Sequence, residues 1–401
     1  MKLDADIIII GAGPAGLSFA RNLAETNLRI ILIDKQTRQS LAVPPYDGRE
    51  IALTHLSKKI LVETGIWEQF PEDKISHIKQ AKVLNGASPF ALSFDHRSAG
   101  ADNLGFMLSN HLIRKAAFDS LAGYQNVEIY DGAEVANVHS DKNQATVELV
   151  DGGQLTARLV VAADSRFSAA RRMMGISASM QDFGRTCIVC TMQTEIAHDD
   201  IAYECFHNDL TLAVLPLTGN LVSVVVTAKT VRPAEISGMT PEQFSQDIQS
   251  RFENRLGTMT LNSKLFSYPL VATFADSFVA RRFVMVGDAA VGMHPVTAHG
   301  FNLGVQGSDI LSEAIKSALS TGKDFASAGV LSRYDKVHRR NCLPLYHGTN
   351  ALVRLYTRQS HRARFARHAL LRVANRFGPA KRLITNQLTQ KSSRRGFLSS
   401  R

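Results

Sequence analysis

The residues Gly11-Ala12-Gly13-Pro14-Ala15-Gly16 have the spacing of a phosphate-binding turn. Gly11 permits a tight turn, Gly13 lets backbone approach a pyrophosphate, and Gly16 lets a helix pack closely on the preceding strand. Pro14 and Ala15 stand where that helix opens, and a helix N-terminus offers N–H groups and a positive dipole end to an anion. Asp34 closes the next apolar run, 18 residues after Gly16, with Lys35 beside it. A carboxylate there can bind both hydroxyls of a ribose and would repel a 2′-phosphate. The pattern points to a dinucleotide and does not separate FAD from NAD.

A second run, VGDAAVGMHPVTAHGFNLG over residues 286–304, sharpens the reading. Gly287 and Asp288 follow a buried apolar stretch, where a carboxylate can accept a ribityl hydroxyl. Gly300, Phe301 and Asn302 open a helix whose N–H groups can face an anion, such as the charge at N1/C2=O of a reduced flavin. A third run, AADSRFSAAR over residues 162–171, carries Asp164, Ser168 and Arg171.

Together these runs resemble the class A flavoprotein monooxygenases of the para-hydroxybenzoate hydroxylase fold. Within that group, the GDAA…HP…GFNLG wording is most similar to the ubiquinone-biosynthesis ring hydroxylases. The AVGMHPVTAHG stretch looks most like their single-component, broad-position branch, which includes the 5-demethoxyubiquinol hydroxylases. The segment 47–53, DGREIAL, is similar to the family's D-x-R-x-x-A-L, in which the arginine, here Arg49, lies near the flavin. Asn110, opening a helix with Leu112 and Arg114, matches a flavin-contacting position. The terminal PAKRL of residues 379–383 is similar to the family's P-x-K-R-L.

Four departures stand out. The family's G-A-D-G-x-x-S-x-x-R has Ala162 in place of its first glycine and Ser165 in place of its second, which would strain Ser165 if that position needs positive φ. Val291 stands where many relatives have histidine, and His299 where many have glutamine. The resemblance implies bound FAD, with NADH or NADPH as a transient reductant, and transfer of an OH group from a flavin C4a-hydroperoxide to an electron-rich ring. It also places the carbonyl of Pro295 against flavin and substrate. Pro295 and His299 are the catalytic candidates, though His294 and His299 can equally be packed histidines. A hydroperoxide must be kept from water, which calls for an apolar pocket roofed by the β-rich middle of the chain.

These residues need elements to hold them. Residues 7–10 and 29–33 read as buried parallel strands around a helix over 15–25. Residues 127–130, 145–149, 155–163, 186–195, 210–217, 221–228 and 283–286 read as further strands, with turns at 151–153 and 218–220. A helix is expected over 301–320. The fold class is therefore α/β. A discontinuous Rossmann-like FAD domain (1–75, 101–178, 273–331) carries an inserted antiparallel β-sheet substrate domain (76–100, 179–272) and a basic helical segment (332–401).

The 401 residues carry a net charge of +10, unevenly spread. Residues 332–401 hold 17 Lys and Arg against one acid, Asp335, a net of +16, so the rest of the chain is mildly acidic. That segment suits a membrane surface as an amphipathic helix, or a ubiquinone-biosynthesis complex as a docking face. Nucleic acid has no supporting motif. No signal peptide or spanning segment is read, so a cytoplasmic enzyme, peripheral on the inner face of the membrane, is expected.

Cys187 and Cys190 are spelled like a redox or metal pair, but on a strand they face opposite ways, and no metal site is expected. His207 reads as a sheet residue. A polyprenyl phenol or quinol with O2 fits this combination best. A soluble aromatic substrate, an isoprenoid flavin reductase and a non-catalytic FAD-bound assembly subunit remain as other readings.

Overall fold

A computed structural model describes residues 3–85, 91–207, 210–229, 236, 238–294 and 299–357. Pro295 and the basic stretch beyond residue 357 lie outside the described residues.

The all-apolar run at the start forms the strand Ala5–Ile10, with Ile7, Ile8 and Ile9 wholly buried. Burial on both faces is what a central parallel strand requires. It pairs in parallel with Ile30–Asp34 on one side and Gln154–Ala162 on the other. Val127–Asp131 and Phe283–Met285 extend the parallel sheet at its two sides. The chain therefore leaves strand Ala5–Ile10 in one direction and its other neighbour arrives from far along the sequence. That is a topological switch point, where open α/β sheets bind ligands beyond their carboxyl ends. Helix Pro14–Leu23 starts at that end and buries Leu17, Phe19, Ala20 and Leu23.

The second sheet runs through Phe266–Ala275, Ala178–Thr194, Leu221–Lys229, Leu210–Pro216, Ile201–Phe206, Gln80–Asn85 and Ala91–Asp95 in that spatial order. All neighbours are antiparallel except Ile201–Phe206 and Gln80–Asn85. One face packs on helix Pro241–Arg251 through Phe244 and Ile248. The other looks toward a small sheet of Glu50–Leu53, Gly105–Ser109 and Ser76–Ile78. Cys187 joins an apolar cluster on the second face and Cys190 one on the first, the opposite orientation expected of positions three apart.

Helix Ala328–Thr357 crosses residue 332, where the sequence reading placed a boundary. Tyr334, His338, Cys342 and Tyr346, one every four residues, are buried. The Tyr334 hydroxyl donates to the carbonyl of Met285 at 2.7 Å, and Asp335 accepts from the Phe278 N–H at 2.8 Å. Residues 334–346 of the basic segment thus pack on the parallel-sheet core. Among the described residues no helix is long and apolar enough to cross a membrane.

Candidate active site

The glycines differ in what holds them. A Cβ on Gly11, where φ is +108°, would stand 2.6 Å from the Ala163 carbonyl oxygen. One on Gly16 would stand 1.9 Å from that of Gly11. Both are dictated by packing. A Cβ on Gly13 would meet nothing within 4 Å, and its φ of −74° suits any residue. Protein contacts do not require a glycine there, whereas a ligand pressed against the backbone would. Gly300 likewise faces open space. Gly13 is the N-cap of helix Pro14–Leu23 and supplies no side-chain cap. The first-turn N–H groups therefore remain for an anion.

The other candidates close a ring around this turn. Asp34 accepts from the Ala12 N–H at 2.6 Å and from the Gln36 N–H at 2.8 Å. Arg114 donates to Gln36 Oε1 at 2.8 Å. On the same helix Asn110, its first residue, donates from Nδ2 to Asp47 Oδ2 at 2.8 Å. The Arg49 guanidinium pairs with that carboxylate through Nε at 3.0 Å and Nη2 at 2.5 Å. Burial opposes ionisation of Asp47, but Arg49 and Asn110 hold its carboxyl below the usual range. Burial depresses the Arg114 pKa.

From Arg49 the strand Glu50–Leu53 leads to Asn302. That side chain donates to the Ala52 carbonyl at 2.8 Å and accepts from the Thr54 N–H at 3.0 Å. Asn302 thereby fixes the first turn of helix His299–Ser320 against the strand. Phe301 is partly buried and packs on the core. Gly287, at φ +61°, lies against Ala15, where a Cβ would approach the Ala15 side chain to 2.7 Å. Asp288 pairs with Arg166 at 2.9 Å.

The 162–171 turn completes the ring. Asp164 Oδ2 accepts from the N–H groups of Ala169 and Ala170, at 2.8 and 3.2 Å, while its Oδ1 is buried without a hydrogen-bond partner. Ser165 adopts φ +152°. The strain anticipated for a serine at a glycine position is therefore present. Arg171 is buried and reaches the Ala289 carbonyl at 3.3 Å.

All the described candidates except Lys35, which is exposed beside Asp34, join this one ring. His299 is buried at the start of its helix. His294 is buried edge-on to Phe183, and burial with nearby Arg185 and Arg166 lowers its pKa to about 4. A neutral, packed His294 follows.

Sequence reasoning missed Arg166, although its motif was in view. It also missed Tyr268, whose hydroxyl donates to the Asp47 carbonyl at 2.6 Å and whose ring lies 5.4 Å from the Arg49 guanidinium. Glu50 was passed over as well. Its Oε1 accepts from Ser109 at 2.5 Å and from Tyr46 at 3.4 Å, and burial raises its pKa to about 7.

A parallel sheet with a glycine turn at its switch point defines a dinucleotide-binding protein. The FAD binding domain family model matches residues 4–341. The open space at Gly13 and Gly300, the uncapped helix and the partnerless oxygen of Asp164 fit such a group. The chain belongs to the ubiquinone hydroxylase family of FAD-dependent monooxygenases.

It is 44% identical to ubiquinone hydroxylase UbiM of Neisseria meningitidis, over 97% of this chain and 85% of that protein. It is 31% identical to ubiquinone hydroxylase UbiL of Rhodospirillum rubrum, over 95% and 88%. Among solved structures, p-nitrophenol 4-monooxygenase PnpA of Pseudomonas putida matches the fold. The TM-score is 0.79 and the identity 18%, over 98% of this chain and 100% of that one.

Proposed function

We propose that this protein hydroxylates the aromatic ring of a polyprenylated phenol or quinol on the route to ubiquinone. The observation that carries the reading is the 44% identity to a ubiquinone hydroxylase along 97% of the chain. The site geometry supports it. Bound FAD, reduced by NADH or NADPH, supplies the activated oxygen.

The chain's own residues bind, orient and seal. Gly11, Gly13, Pro14, Ala15 and Gly16 present an uncapped helix start to the pyrophosphate. Asp34, with Lys35 beside it, addresses the adenosine ribose, and Gly287 with Asp288 the ribityl chain. Asp164 has a partnerless buried oxygen for a ligand hydroxyl. Arg49 and Asn110 border the same space through Asp47. Asn302 holds Gly300 and Phe301 where helix N–H groups can offset negative charge on the reduced ring. His299 is the first residue of that helix, and by the family resemblance the carbonyl of Pro295, outside the described residues, would face flavin and substrate. Neutral His294 adds no competing charge. The apolar clusters on the face of the second sheet that looks toward the small sheet exclude water, which protects an oxygen-transfer site from wasteful decay.

The basic residues beyond Thr357 bring the enzyme to anionic lipid or to partner proteins that hold the prenyl chain. Deletion of the gene, followed by quinone analysis, tests the function. A prenylated precursor lacking a ring hydroxyl should accumulate. Normal ubiquinone in a strain without a redundant hydroxylase overturns the proposal.

A further inference from the structure

One carboxyl of the second sheet has no role in the ring described above. Glu204 lies on strand Ile201–Phe206, directly opposite Ala213 on one neighbour and Val83 on the other. The same cross-strand row continues from Ala213 to Val225, Val189 and Phe266. Side chains opposite one another in a ladder share a face, so Glu204 is the one ionisable group in a row of apolar residues. This face looks toward the candidate site. Val83 and Ala202 pack in a cluster with Ala52 and Met107. At the far end of the row, Phe266 and Val189 meet Gly48. Glu204 therefore sits between two apolar patches that each touch the 47–53 segment carrying Arg49.

Glu204 is partly exposed, so its carboxyl borders the apolar row rather than lying in sealed core. Among the described residues no group hydrogen-bonds or ion-pairs with it, and burial alone raises its pKa to about 8. A buried carboxyl without a partner is costly, and an apolar side chain would pack better there. Its neighbours Ala202 and Ala213 are small and leave room beside it.

We propose that Glu204 is the polar anchor of the substrate recess, accepting a hydrogen bond from a ring hydroxyl of the phenol or quinol. The anchor rests on the ring-hydroxylase reading above. It extends that reading to how the site tells a phenol from its O-methyl ether. Glu204 fixes which edge of the ring faces the cofactor, while the apolar row receives the ring face and prenyl chain.

The test uses full-length holoenzyme and two probes, a short-chain prenylated phenol and its methyl ether. Binding is read as perturbation of the flavin absorbance, and turnover as hydroxylated product. The parent should bind the phenol roughly tenfold or more tightly than the ether, the scale of one buried hydrogen bond. Glu204→Leu should bring the two affinities together, raise the KM for the phenol at least tenfold, and melt no lower than the parent. Glu204→Gln, which keeps an acceptor, should retain most of the preference for the phenol.

An unchanged phenol-to-ether ratio in Glu204→Leu overturns the anchor. So does a loss of FAD affinity equal to the loss of phenol affinity, which would mark a structural role. If the parent binds the phenol with the expected preference but hydroxylates no prenylated ring, the function fails while the anchor stands.

Discussion

Replacing Gly13 by alanine separates space kept for a ligand from space taken by protein. The added Cβ meets no protein atom within 4 Å, and the backbone at φ −74°, ψ 178° accepts alanine. A tolerated Gly→Ala change stabilises by about 0.4–1 kcal/mol through the unfolded chain, so the cofactor-free protein should be no less stable than the parent. The same methyl would stand where the pyrophosphate must lie against backbone. Over-filling a close-packed contact costs about 1–3 kcal/mol, or roughly a 5- to 150-fold weaker Kd for FAD.

At a free FAD concentration of about 100 times the parent Kd, the parent gains about 2.7 kcal/mol from the cofactor. A tenfold weaker variant gains about 1.4 kcal/mol. Titration by quenching of flavin fluorescence, with melting curves at several FAD concentrations, reads both quantities. Gly11→Ala is the contrasting control. Its Cβ would collide with the Ala163 carbonyl at positive φ, so it should destabilise the protein with or without FAD. An FAD Kd unchanged within a factor of two in Gly13→Ala would refute the placement of the pyrophosphate. So would a variant that is destabilised without cofactor.

Other outcomes follow from the same contacts. Ser165→Gly should relieve the strain at φ +152° and raise stability by about 1 kcal/mol, read from the denaturant midpoint; no rise would mean the serine is accommodated at no cost. Asn302→Ala removes a buried hydrogen bond to the backbone at 54 and a part-buried one at 52, and should cost about 1–3 kcal/mol together with a weaker FAD Kd.

Glu50 has its folded pKa raised from 4.5 to about 7, so its contribution to stability is full below pH 4.5 and lost as pH rises through 7. Glu50→Gln should therefore match the parent near pH 4 and exceed it by up to about 3 kcal/mol at pH 8. Equal denaturation midpoints at pH 8 would contradict this. Ending the chain at Thr357 keeps the buried helix face, and should preserve folding and FAD binding while abolishing association with anionic vesicles. Ending it after Asp335 would remove buried His338, Cys342 and Tyr346 and should prevent folding.

The cofactor half of the molecule was legible because its signals are local. Four isoleucines in a row, glycines at fixed spacing and an acid closing the next strand each report their own backbone. Strands Gln80–Asn85 and Phe266–Ala275 are not legible, and Ile201–Phe206 only as a sheet segment around His207. Lys82, Glu204 and Pro269 break their alternation, and their pairing is set by partners distant in sequence. Tyr268 reaches Asp47 across more than 200 positions, a contact that no local pattern encodes. The boundary at residue 332 was drawn from charge. The buried stripe of Tyr334, His338, Cys342 and Tyr346 mixes polar and apolar types, so in sequence this part of the helix resembles the basic stretch that follows it.

The central claim is ring hydroxylation with dioxygen as the oxygen source. Full-length holoenzyme turning over a prenylated phenol under isotopically labelled dioxygen, with NADH or NADPH, tests it in one mass spectrum. One labelled oxygen should appear in the ring of the product. An unlabelled product, or nicotinamide oxidised with the ring left intact, would contradict it.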